Sequence, residues 1–133
     1  MSKSLIQTTN QTTQAVAVNG IISLGSVLRR YGCNCRLSGN AIEVEGDGYY
    51  KIDTDVTVLP TVAGTVTVAV LENGVQIPSA ISTGSTSVAG NPVTLPITTT
   101  IRKNCCCGAS NLTVVLLAGA GNVTNISTRV EKS

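Results

Sequence analysis

Apolar and polar residues alternate along most of this chain with the two-residue period of a pleated strand. In Ala41-Ile42-Glu43-Val44-Glu45, Ile42 and Val44 share one face and the two glutamates the other. After the turn residues Gly46-Asp47-Gly48 the alternation resumes over 49–59, through Tyr50, Ile52, Val56 and Val58. The cleanest strand is 65–71, where Val66, Val68 and Val70 face one way and Asn73-Gly74 closes the strand as a hairpin turn. Val75-Gln76-Ile77 begins the return strand, which Pro78 is expected to break.

The flanking segments are less regular. Residues 1–14 are rich in Thr and Gln and offer little to bury beyond Leu5 and Ile6, so they are expected to form an arm that docks on a partner or frays. Two short apolar runs, 15–18 and 21–24, flank Asn19-Gly20, a second hairpin signal. Residues 26–31 read equally well as a strand or one helical turn. The segment 79–91 is rich in Ser, Thr and Gly and is anchored only by Ile81 and Val88. Pro96 interrupts 93–101 and marks an edge position or a bulge. Residues 111–117 are almost continuously apolar, the pattern of a strand buried on both faces, and a last alternating strand runs over 123–130. Together these make about eight to ten short antiparallel strands and no substantial helix. The expectation is an all-β jelly-roll sandwich over residues 15–133, a single domain with no linker and no repeat of fixed period.

Composition agrees with that class and removes several functions. Of 133 residues, 42% are hydrophobic but only 2% aromatic, so the core must be built from β-branched and small side chains. Charged residues reach 12%, half the usual share of about 25%. The absence of His removes the commonest general base, proton shuttle and metal ligand, so an enzyme is the least expected class and no cofactor is implied. A net charge of +2 is too small for a nucleic-acid footprint, and Arg29, Arg30 and Arg36 have no aromatic ladder beside them. No apolar run approaches the length of about 18 residues that a membrane helix needs, so no membrane partner is expected. The N-terminus lacks the apolar stretch of a signal peptide, which points to synthesis and folding in a cytoplasm.

Five cysteines form the one strong chemical signal, as Cys33-Asn34-Cys35 and Cys105-Cys106-Cys107. In extended strands Cys33 and Cys35 would share a face, as would Cys105 and Cys107, with Cys106 opposite. Three readings stay open: two disulfides, a tetrahedral four-thiolate zinc site of Cys33, Cys35, Cys105 and Cys107, or buried free thiols. The carboxylates Glu43, Glu45, Asp47, Asp53 and Asp55 read as a solvated outer face in preference to a calcium site. Low charge and the continuous run at Val114, Val115, Leu116 and Leu117 mark those four residues as an oligomer interface.

The layout Gly48-Tyr49-Tyr50-Lys51-Ile52, then Gly64-Thr65-Val66-Thr67-Val68, then Glu72-Asn73-Gly74-Val75 resembles the tumour-necrosis-factor/C1q-like jelly roll, over roughly residues 42–130. The chain lacks the aromatic core of the animal members, so their receptor and complement functions are not carried over. The resemblance implies a homotrimer. The whole chain, including 24–33 and the cysteine triplet, also resembles small virion proteins of phages and prophages of Gram-positive gut bacteria. That implies a non-enzymatic capsid-decoration or head-fibre subunit, made in the host cytoplasm, located on the virion and partnered by itself and other capsid proteins. Two alternatives remain: a jelly-roll module binding a carbohydrate or cell-surface glycan through Tyr31, Tyr49 or Tyr50, and a cysteine-cross-linked surface or spore-appendage subunit.

Overall fold

The computed structural model describes residues 4–103 and 108–132. Twelve strands form among them, beginning with β1 (Ser4–Asn10), β2 (Gln14–Val16), β3 (Gly20–Ile21) and β4 (Ser26–Tyr31). The middle of the chain gives β5 (Cys35–Ser38), β6 (Ala41–Val44), β7 (Gly48–Pro60) and β8 (Gly64–Glu72). It ends with β9 (Val75–Thr86), β10 (Val93–Lys103), β11 (Ser110–Ala118) and β12 (Gly121–Lys132). One sheet has the order β10-β7-β12-β1-β4, with β2 continuing along β12 beyond β1. The other has the order β5-β6-β11-β8-β9, with β3 continuing along β11 beyond β6. All ladders are antiparallel, and the two sheets stack as a jelly roll.

Strict alternation fills the space between the sheets. Ile52, Val56 and Val58 from β7 meet Val66, Val68 and Val70 from β8, with Ile126 and Val130 of β12 beside them, all buried. Tyr50 is the largest fully buried side chain among the described residues.

Several expectations are corrected. Residues 4–10 do not form an arm: β1 lies inside its own sheet between β12 and β4, with Ile6 fully buried. Its inward positions are Ser4, Ile6 and Thr8, so two of three are polar and the apolar period is hidden. Asn19-Gly20 does make a turn, with Asn19 at φ 67°, but it joins β2 in one sheet to β3 in the other, so the runs on either side do not pair as a hairpin. Residues 26–31 are the edge strand β4. β9 does not stop at Pro78 but runs on to Thr86, because an edge strand needs no amide donor there. The irregularity is absorbed by a register shift opposite Ala69–Leu71, with Ser79 at φ 69°. Pro96 sits on the edge strand β10, as its position demanded, with the register to β7 unbroken.

Candidate interaction surfaces

One end of the sandwich carries the first cysteine pair, and Asn34 organises it. Its backbone amide and side-chain oxygen bracket the Ser4 hydroxyl, at 3.2 and 2.7 Å. Its side-chain amide donates to the Glu45 carbonyl at 2.7 Å, and the Tyr50 hydroxyl donates to the carbonyls of Glu45 and Gly46 at 2.9 and 3.0 Å. The start of β1, the turn before β5 and the turn before β7 are thereby tied to one another. Burial pushes the Tyr50 phenol up to about 12, with the Cys35 thiol adding to the effect.

Cys35 opens β5, pairs with Val44 and is fully buried. Burial pushes its thiol up to about 11, against the opposing pull of Arg30 and Lys132. Cys35 packs within the core cluster as a small apolar side chain. Cys33 lies in the turn between β4 and β5 and is exposed. The expected common face for Cys33 and Cys35 is therefore not formed, because alternation applies only within a strand and Cys33 precedes one. Cys105, Cys106 and Cys107 lie outside the described residues. Their flanks do not: Lys103 ends β10, Ser110 begins β11, and the buried Lys103 ammonium donates to the Ser110 hydroxyl at 2.6 Å. Ser110 pairs with Val44, and Val44 pairs with Cys35, so Ser110 stands two strands from Cys35. Among the described residues no group of three or more Cys, Asp or Glu is placed to hold a metal ion.

The four residues marked as an oligomer interface divide. Val114 and Leu116 point into the interior and belong to the protein's own core. Val115 and Leu117 point outward, and Val115 is 6% exposed because its neighbours crowd it. The register Ile21↔Val115↔Ala69↔Ile81 makes a single aliphatic row across β3, β11, β8 and β9. Its centre, Ala69 and Val115, is covered, while the two ends, Ile21 and Ile81, are 51% and 44% exposed. Ile21, Ala69 and Ile81 escape a reading of the sequence because the row exists only once four non-consecutive strands are in register. The exposed Ile81, in a Ser/Thr-rich strand, is its one local sign.

On the other sheet, Asp53 and Asp55 of β7 project outward among Thr side chains of β10. Asp47 pairs with Arg102 at 3.5 Å and Glu43 pairs with Arg36. Arg102 also lies 5.1 Å over the exposed Tyr49 ring, and Tyr31 is exposed on β4.

No family model matches the chain and no curated protein matches it. Solved structures do match. Murine APRIL superposes with a TM-score of 0.77 at 12% identity, covering 99% of this chain and 100% of that one. The globular domain of zebrafish complement 1qA protein gives 0.65 at 8% identity, over 96% and 94%. The PRD1 vertex protein P5 gives 0.60 at 14% identity, over 98% and 96%. At these identities the likeness is one of fold: the chain is a TNF/C1q-like jelly roll.

Proposed function

We propose that this protein is a non-enzymatic structural subunit that works as a homotrimer on a virion, as a capsid-decoration or head-fibre component. The observation that carries the reading is the aliphatic row Ile21–Val115–Ala69–Ile81, whose protruding ends a single copy leaves in water. A neighbouring copy would cover it, and a closed ring of copies uses such a surface without leaving open edges. The low charge, the absence of His and a fold shared with a phage vertex protein are in keeping with a structural role. Other capsid proteins are its expected partners, and the host cytoplasm its place of synthesis. Mass spectrometry of density-purified particles is the test. Peptides of this chain should travel with the particles, whereas a chain confined to the soluble host fraction overturns the assignment.

A glycan-binding role is the second reading, favoured by the exposed Tyr49 beside the Asp47–Arg102 pair. Binding of the chain to isolated host-surface polysaccharide, lost in Tyr49→Ala, would establish it. No binding to that polysaccharide would remove it.

A further inference from the structure

One end of the sandwich is built from segments without charge. No charged residue occurs in 11–20, 60–64, 84–92 or 118–122. These segments converge on the end of the sandwich opposite Cys35. Gly121 pairs with both Val16 and Pro60, the Thr61 amide donates to the Ala120 carbonyl at 3.2 Å, and the Gly90 amide to the Pro60 carbonyl at 2.8 Å. The charged residue nearest this end along a described strand is Asp55, five residues before Pro60, or about 16 Å away at the strand rise.

The uncharged end has both relief and hollow. Val62 stands 70% exposed at the tip of one loop, with Val18 and Val88 at 49% and 55% on two others. Beside them lies an open hollow of about 340 Å³ whose walls include Ala15, Val16, Ala17, Ala120 and Gly121. Thr61, the residue before Val62, lines the same hollow, so an apolar knob and an apolar hole sit side by side on one surface.

We propose that this end is a homotypic docking surface, in which Val62 of one copy seats in the hollow of a second copy and the reverse. A surface carrying both a protrusion and a hollow can pair with its own copy about a two-fold axis, as an isologous contact requires. The absence of charge removes the usual obstacle, since no ion is desolvated and no like charges are brought together. A second copy meets that requirement without any further feature. Contact through the opposite end would instead juxtapose identical Arg, Lys and Glu clusters.

Equilibrium sedimentation of the full chain at micromolar concentrations tests the contact, in salt from about 50 to about 500 mM. The assembly should show a twofold increase in mass over its smaller species, whether that species is one chain or three, and salt should leave it unchanged or strengthen it. Val62→Asp and Ala17→Leu should each abolish the doubling while keeping the melting temperature within a few degrees of wild type. A doubling that persists in both variants, or that salt weakens tenfold, overturns the proposal. So does a mass that never doubles. A factor of three without a factor of two supports the trimer and overturns this contact alone.

Discussion

Thr54 and Thr128 face each other across β7 and β12 with their hydroxyl oxygens 2.6 Å apart in the interior. Thr54 also reaches the Ser127 carbonyl at 3.2 Å. Thr8, the partner of Thr128 on the other side, is equally buried, but among the described residues its hydroxyl has no hydrogen-bond partner. A buried unpaired hydroxyl costs about 1–3 kcal/mol, whereas a paired one contributes about 0.5–1.5 kcal/mol. Thr8→Val should therefore stabilise the protein by about 1 kcal/mol, and Thr54→Val should destabilise it by about 1–3 kcal/mol by orphaning Thr128. Urea unfolding of the two variants checks both signs; a loss of stability in Thr8→Val would refute the reading.

Gly74 and Gly119 both have positive φ, at 84° and 77°, but in different surroundings. A Cβ on Gly74 meets nothing within 4 Å, while on Gly119 it would lie 2.6 Å from the Thr65 carbonyl oxygen. Gly74→Ala should cost only the left-handed backbone penalty of about 1–2 kcal/mol. Gly119→Ala should cost clearly more, because backbone must move. Equal costs in thermal unfolding would contradict this.

Burial holds Cys35 and Tyr50 in their neutral forms, with pKa values raised to about 11 and about 12. A raised native pKa contributes stability below the unfolded pKa, and that contribution is lost as pH rises through the native value. With unfolded values of about 8.5 for Cys and about 10 for Tyr, the reduced protein should lose no stability through these groups between about pH 6 and 8. It should lose stability progressively between about pH 9 and 12, and Tyr50→Phe should remove the upper part of the fall. Melting temperature against pH, with tyrosinate absorbance followed in parallel, makes the check. A profile that stays flat to about pH 12 would contradict it.

Ser110, which accepts a hydrogen bond from Lys103, lies on the strand beside the β5-β6 pair that holds Cys35. We expect a disulfide between the Cys33–Cys35 segment and the Cys105–Cys107 segment in protein from released particles. In the chain-entropy model a closed loop of this length stabilises by about 4 kcal/mol. Peptide mapping after immediate alkylation under non-reducing conditions should yield the cross-linked pair. Five alkylated thiols and no bound zinc would show that the clusters hold neither a cross-link nor a metal.

Strands β6, β7 and β8 were legible because their inward residues are mostly large and apolar and their outward ones mostly polar or small, so Ile42/Val44, Tyr50/Ile52 and Val66/Val68/Val70 write the period directly. β1 was not, since it buries Ser4 and Thr8 as readily as Ile6. β9 was hidden because an edge strand accepts Pro78, Ser and Thr at no cost to its ladder. β5 follows directly on a cysteine-bearing turn and is only four residues long. The run at 111–117 read as buried on both faces, and Val115 is so, yet which neighbour covers which side depends on register between distant segments. Local pattern carries no such information, and so the aliphatic row, the surface proposed for assembly, could not be read from sequence.

We propose that like copies cover the outer row of the β5-β6-β11-β8-β9 sheet in a closed trimer. The most direct measurement is the mass of Val62→Asp by light scattering at micromolar concentration, a background in which end-to-end pairing is removed. The expected mass is three times the 13.6 kDa of one chain, reduced towards one chain by Ile21→Lys or Ile81→Lys with the fold retained. A stable single-chain mass, or a trimer indifferent to both lysines, would contradict it.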